Sequence, residues 1–334
     1  MKGGGTNFTG INNIQETVLG KGLIMVYVFL AAGFILLIKG ADFFVEGSSS
    51  VAKRLRVPPL IIGMTIVAMG TSFPECSVSI NASIAGSNGL AISNAVGSNI
   101  FNLMVVCGIC ALFCPLSADT ETLKREFPFS IIVALVLFGL GSAGMVLGHI
   151  DGIIMCAIFA GFLYWMVMSA RKARNENQAD SQDYEIIPVW KCILYITGGI
   201  AAIIAGGDVV VDSATKIAEQ FGMSDNLIGL TVVAFGTSLP ELVTSVVAAK
   251  KNEVDMALGN VIGSNIFNIL LVLGMAAAIS PVAFIMENVV DVIVLVVMSL
   301  IVWAFTWSGR RIVRGEGIAM LLMYAGYMGY ICTR

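Results

Sequence analysis

The sequence predicts an all-α polytopic membrane protein of ten transmembrane helices, arranged as two inverted five-helix repeats. Three observations carry that prediction. The chain is 57% hydrophobic and only 12% charged over 334 residues, with a mean hydropathy of +0.90, far more apolar than a soluble domain of this length requires. It contains ten apolar runs of the roughly 20 residues needed to cross a hydrocarbon core about 30 Å thick. One pattern also occurs twice, as Gly63-Met-Thr-Ile-Val-Ala-Met-Gly-Thr-Ser-Phe-Pro-Glu75 and again as Gly229-Leu-Thr-Val-Val-Ala-Phe-Gly-Thr-Ser-Leu-Pro-Glu241.

The first twenty or so residues are polar and glycine-containing with no apolar core, so no cleavable signal peptide is expected and the first run serves as the insertion signal. The runs fall near 23–52, 58–85, 89–114, 127–147, 151–170, 188–219, 225–249, 255–280, 289–307 and 312–331. Loop charge sets their direction. Lys53, Arg54 and Arg56 follow the first run, Lys124 and Arg125 the third, Arg171, Lys172 and Arg174 the fifth, Lys250 and Lys251 the seventh, and Arg310, Arg311 and Arg314 the ninth. The alternate loops, around Asn88, His149, Asp225 and Glu287, carry almost no Lys or Arg. The positive-inside rule then makes the basic loops cytoplasmic and leaves both termini outside, in a multi-pass protein of the cell membrane. Residues 171–187 are polar and aperiodic and read as a cytoplasmic linker between an N-terminal repeat (1–170) and a C-terminal one (188–334).

A shift of 166 residues aligns 63–102 with 229–268 without a gap, giving about 19 identities in 40 positions. The copies are separated by an odd number of runs, five, so they lie in the membrane with opposite orientation. Secondary transporters share this plan, with their site near the midplane at the repeat interface.

Glu75 and Glu241 stand directly after a proline inside an apolar run. A charge at membrane depth costs a few kcal/mol or more, so each marks a functional site, and I-for-I repetition of the pair makes accident a poor explanation. Pro74 and Pro240 lack a backbone donor and clash with the preceding turn, which predicts a helix break near Gly70-Thr71-Ser72 and Gly236-Thr237-Ser238. Where the backbone stays near-helical, Thr71 and Ser72 lie beside Glu75, and Thr237 and Ser238 beside Glu241. The second half of each signature, Gly97-Ser-Asn-Ile-Phe-Asn102 and Gly263-Ser-Asn-Ile-Phe-Asn268, puts Ser98 with Asn102 and Ser264 with Asn268 on one helical face, four residues apart. The serines and Asn99/Asn265 also fit a small-residue packing seam with polar cross-links. Asn102 and Asn268 are costly to bury unless their amides are engaged. Carboxylates, amides, hydroxyls and freed carbonyls form a hard oxygen set suited to Ca²⁺, Na⁺ or Mg²⁺; Mg²⁺ sheds water reluctantly, whereas two glutamates match one Ca²⁺ or several Na⁺.

On both signatures, GTSxPE followed by GSNIFN, and on the ten-run layout, the chain resembles the cation/calcium exchanger superfamily, in particular bacterial sodium/calcium antiporters without a large regulatory loop. The resemblance implies ion coordination by Glu75, Glu241, Thr71, Ser72, Thr237, Ser238, Ser98, Ser264, Asn102, Asn268 and carbonyls near Ala68 and Ala234. It implies too that the long first and sixth spans slide across a core of the other eight. Some members carry an aspartate at the position of Asn268; the amide here implies independence of potassium.

The expected activity is therefore exchange of extracellular Na⁺ for intracellular Ca²⁺ by alternating access, with a cation/proton exchanger on the same fold as the alternative. Ca²⁺ and Na⁺ are expected as transported ligands, with the bilayer as environment, no cofactor and no obligatory protein partner. A net charge of −3 without a basic stripe argues against nucleic acid, and no nucleotide-binding loop is present. Enzyme chemistry is not expected, since Ser72 and Ser238 have no nearby His or Lys base in sequence. Inverted repeats with broken helices likewise favour a carrier over a passive channel. Cys107 and Cys110 read as buried packing residues, and His149 as a solvated loop residue. Asp42, Glu46, Asp208 and Asp212 are expected to line the cytoplasmic side or pair with bases such as Lys39, or else to form an ion-attracting vestibule.

Overall fold

The computed structural model describes residues 8–86, 88–175, 187–223 and 234–333. Helix α1 (Phe8–Leu55) is followed by α2 (Pro59–Thr71), α3 (Phe73–Ile84), α4 (Gly89–Phe113), α5 (Thr122–Gly144) and α6 (His149–Asn175). The second half repeats this order with α7 (Val189–Gln220), α8 (Ala234–Thr237), α9 (Leu239–Lys250), α10 (Val254–Ile279), α11 (Met286–Gly309) and α12 (Arg314–Thr333). Among the described residues, seven helices are long and apolar enough to cross a membrane, and α2 with α3, bent by 50°, makes an eighth. Helix α12 opens with Arg314 and Glu316 and is less apolar. Residues 229–233 of the second signature and 176–186 of the expected linker lie outside the described residues.

Two boundaries differ from expectation for physical reasons. Helix α1 starts at Phe8 rather than near 23, because helix formation needs no apolar run and residues such as Gln15, Glu16 and Leu19 favour it. Helix α5 starts a turn before the apolar run, at Thr122, where a π-helical turn carries Lys124, Arg125 and Glu126.

The centre of the molecule is formed by α4 and α10, whose most apolar windows are 78% buried, against 22% for α1 and 28% for α7. Helix α2 lies on α10 with backbone against backbone. A Cβ on Gly63 would stand 2.5 Å from the carbonyl of Met256, and one on Gly259 2.5 Å from that of Leu60, so no larger residue fits either place. Helices α1 and α7 pack on each other antiparallel, Gly33 facing Gly206 and Gly40 facing Gly199 at a seven-residue interval. A Cβ on Gly199 would sit 2.8 Å from the carbonyl of Gly40.

The two halves are stitched by short ladders that no alternation in the sequence announces, each strand being two residues long. Strand β1 (Leu116–Ser117) pairs antiparallel with β4 (Arg311–Ile312), and β2 (Val146–Leu147) with β3 (Val282–Ala283). Met145 (φ 54°) and Arg310 (φ 53°) close α5 and α11 in the left-handed conformation, and their carbonyls accept from Phe284 N and Ala118 N, both at 2.9 Å. Each contact thus has a counterpart in the other half.

Candidate cation site

Helix α2 ends where Ser72 leaves helical geometry (φ −87°, ψ 15°), and α3 restarts at Phe73-Pro74. Ser238 does the same (φ −93°, ψ 4°) between α8 and α9. The predicted breaks are therefore present. They place Glu75 and Glu241 in the first turns of α3 and α9, both with 0% of their surface exposed. At a helix N-terminus the peptide dipoles favour a carboxylate, which offsets part of the cost of burying it.

The breaks also redirect the hydroxyls, which corrects the expectation that each Ser lies beside its own glutamate. Ser72 Oγ donates to Glu241 Oε1 at 2.7 Å, and Ser238 Oγ lies 3.3 Å from Glu75 Oε1 and 3.0 Å from Ser98 Oγ. Each carboxylate is held by the opposite half because Ser72 and Ser238 are no longer helical. Thr71 Oγ1 faces Asn260 Oδ1 at 3.2 Å and the carbonyls of Val67 and Ala68 at 3.2 and 3.3 Å, rather than Glu75. The Ala68 carbonyl accepts Ser72 N at 3.1 Å. Ala234 is the first described residue of α8, and Thr237 lines a cavity described below.

On α4 and α10, Asn99 Nδ2 donates to the Asn265 carbonyl at 3.0 Å and Asn265 Nδ2 to that of Asn99 at 3.3 Å. This reciprocal bond marks the two-fold relation and makes the pair a polar cross-link. One turn further on, each signature passes into a π-helical turn that begins at Asn102 or Asn268, a feature the sequence pattern does not reveal. Both amides are fully buried, and among the described residues neither their oxygens nor their nitrogens have a protein partner; the same holds for Glu75 Oε2, Glu241 Oε2 and Ser264 Oγ. A buried polar atom left unpaired costs about 1–3 kcal/mol, so this clustering on the signature residues calls for a ligand.

Four contributors were missed. Asn94 Nδ2 reaches the Glu75 carbonyl at 3.3 Å and Ser79 Oγ at 3.0 Å; Asn260 Nδ2 reaches the Glu241 carbonyl at 3.5 Å and Ser245 Oγ at 2.9 Å. They pin the first turns of α3 and α9 to α4 and α10. Their signal was available, since Asn94/Asn260 and Ser79/Ser245 are identical under the 166-residue shift.

A cavity of about 570 Å³ reaches both breaks, touching Pro74, Thr237 and Pro240, and its wall carries Asp208 and Asp212. A second cavity, about 370 Å³, is lined by Asp42, Lys250 and Lys251, and Phe44 and Ile200 pack on Gly70 as Val211 does on its counterpart Gly236. The four acids of α1 and α7 thus separate, contrary to a shared location. The antiparallel seam sets Asp42 and Asp208 about 16 Å apart along the helix axis, from eleven residues at 1.5 Å each. Asp42 pairs with Lys39 at 3.7 Å, as expected, and with Lys251 at 3.3 Å. His149 is exposed and its Nδ1 lies 2.9 Å from the Ala278 carbonyl, while Cys107 and Cys110 are buried in the apolar core.

The family described as sodium/calcium exchanger protein matches the chain twice, over residues 25–168 and 191–333. The chain belongs to the sodium/calcium exchanger family. Several relatives span nearly its whole length. The CaxA protein of Alkalimonas amylolytica is 40% identical, with 91% of this chain and 98% of that protein covered, and the sodium/calcium exchanger MaX1 of Methanosarcina acetivorans is 32% identical, with 90% and 97% covered. Among solved structures, the sodium-calcium exchanger NCX_Mj soaked with Na⁺ and Ca²⁺ superposes with a TM-score of 0.80 at 34% identity, covering 92% of this chain and 98% of that one. The double match of this exchanger family falls on the two halves that the hydrogen bonds relate.

Proposed function

We propose that this sodium/calcium exchanger family member is a secondary active antiporter, which takes up extracellular Na⁺ and expels Ca²⁺ by alternating access to one site between two inverted five-helix repeats. In this reading the repeats are residues 1–170 and 188–334, joined by a cytoplasmic linker at 171–187, and the ten spans leave both termini outside. Glu75, Glu241, Asn102 and Asn268 are the principal ligands, with oxygens of Thr71, Ser72, Thr237, Ser238, Ser98, Ser264, Ala68 and Ala234 around them. The supporting observation is the set of buried carboxylate and amide oxygens on those four residues that have no partner among the described residues. Ca²⁺ takes 6–8 oxygens at about 2.3–2.6 Å and tolerates irregular geometry, which such a mixed set can supply. Two carboxylates neutralise one Ca²⁺ or two Na⁺, so the ions compete and cannot occupy the site together. That exclusion is the basis of exchange, and the ion gradient alone supplies the energy.

The cavity beside Asp208 and Asp212 is the access route of the present state, and by loop charge it opens to the outside. Closure there, with opening at Phe44, completes the cycle as α1 and α7 slide on the remaining helices. With an amide at Asn268, potassium is not required.

The test is sodium-gradient-driven ⁴⁵Ca²⁺ uptake into proteoliposomes by the wild type, Glu75→Gln and Glu241→Gln, with a pH gradient alone as control. Each variant should lose at least ~100-fold, the equivalent of roughly 3 kcal/mol at a buried charge. Undiminished uptake in either variant defeats the paired-carboxylate site, and uptake driven by the pH gradient alone defeats sodium coupling.

A further inference from the structure

Lys251 ends α9 and reaches α1. Its Nζ lies 3.3 Å from the Asp42 carboxylate and 3.9 Å from that of Glu46, and it donates to the Asp42 carbonyl at 2.9 Å. Two residues on, the buried Glu253 accepts a hydrogen bond from Ser49 Oγ. Asp42, Glu46 and Ser49 are spaced by four and three residues, so the loop between α9 and α10 grips a single face of α1.

The inverted half has the same backbone and lacks the grip. Under the repeat shift Asp42 and Glu46 become Asp208 and Asp212, so the acids persist. Lys251 becomes Ala85, which ends α3 in nearly the same conformation (φ −76°, ψ −3° against −85°, 10°) and is exposed. Lys39 becomes Ala205. Among the described residues no lysine or arginine pairs with Asp208 or Asp212, and these two acids border the open cavity. The ion-paired side carries a smaller cavity, about 370 Å³, with Asp42, Lys250 and Lys251 in its wall.

We propose that Lys251, with Glu253, is a one-sided latch that holds α1 on the helical body and biases the carrier toward the state open beside Asp208 and Asp212. The proposal rests on the alternating-access reading above. A symmetric backbone gives two end states of comparable energy; a cation on one gate and none on its twin removes that balance. The ion pairs are part-exposed, with side chains 33–47% accessible, so the bias is modest, roughly 5- to 30-fold in population.

The twin relation supplies a test in both directions. Hydrogen–deuterium exchange is followed without Na⁺ or Ca²⁺ on the full-length protein in detergent, for the wild type, Lys251→Ala and Ala85→Lys. Lys251→Ala should speed exchange in residues 38–55 by roughly 5- to 30-fold. Ala85→Lys, which puts a lysine at the position that the repeat shift pairs with Lys251, should slow exchange in 204–221 by a similar factor as α7 closes on it. Unchanged exchange in both segments overturns the latch. ⁴⁵Ca²⁺ uptake on the same preparations separates the two ideas: absent wild-type uptake overturns the antiporter, whereas intact uptake with unchanged exchange overturns the latch alone.

Discussion

Asn94 and Asn260 each tie a glutamate-bearing turn to the neighbouring helix, one amide touching a glutamate carbonyl and the hydroxyl of Ser79 or Ser245. Asn260 also offers its Oδ1 to Thr71, so a single side chain joins α9, α10 and α2. In the proposed site a hydroxyl that binds a cation must send its proton elsewhere, and Asn260, with the carbonyls of Val67 and Ala68, gives Thr71 an outlet. Asn260→Ala is therefore expected to weaken Ca²⁺ by about 1–3 kcal/mol, some 5- to 100-fold in apparent affinity, read as a rise in KM for ⁴⁵Ca²⁺ uptake. Asn94→Ala, at a half-buried position, should give a smaller rise. A fall in maximal rate with KM unchanged would point to folding instead. The glutamates themselves were legible because a charge after a proline in an apolar run has few structural explanations. Which hydroxyl each carboxylate holds was not, since that depends on one non-helical residue, Ser72 or Ser238, turning a four-residue spacing into a contact with the other half.

At the scale of elements, the broken helices follow from Pro74 and Pro240, and most helix limits fall within a few residues of the apolar runs. The π-helical turns at Asn102 and Asn268 have no such marker: they arise from packing in the fully buried middle of α4 and α10, not from a local breaker. The glycine seam between α1 and α7 was visible only as composition, because facing glycines acquire meaning once the two helices are known to cross there. It yields a direct expectation. Gly199→Val puts side-chain atoms where a Cβ already meets the Gly40 carbonyl at 2.8 Å, and overpacking of this kind costs about 1–3 kcal/mol. Thermal unfolding in detergent should shift to lower temperature accordingly, while valine at Gly139, on α5 with nothing within 4 Å of its Cβ, should leave the midpoint nearly unchanged.

For the whole molecule, the repeat was legible from one gapless shift, and the matching hydrogen bonds at Asn99/Asn265, at Asn94/Asn260 and in the two ladders are consistent with the inverted plan proposed for it. What the repeat could not reveal is where the halves differ: the larger of two cavities lies beside Asp208 and Asp212, and the Lys251 contacts lie beside the smaller one. Those differences sit in loop termini and in the placement of α1 and α7.

The ladders β1–β4 and β2–β3, together with Ser72–Glu241 and Ser238–Glu75, all run between the halves, never within one. Neither half can pair its own strands, and each supplies a serine hydroxyl to the other's carboxylate. A polypeptide ending at 175 and another beginning at 187 should therefore be mutually dependent partners. Expressed together they should co-purify through an affinity tag on one and recover calcium uptake; expressed singly each should be degraded or aggregate. A singly expressed half that is monodisperse and thermally stable would show that the interlock is dispensable. If it is not, the covalent connection between the halves serves chiefly to guarantee equal numbers of two complementary pieces.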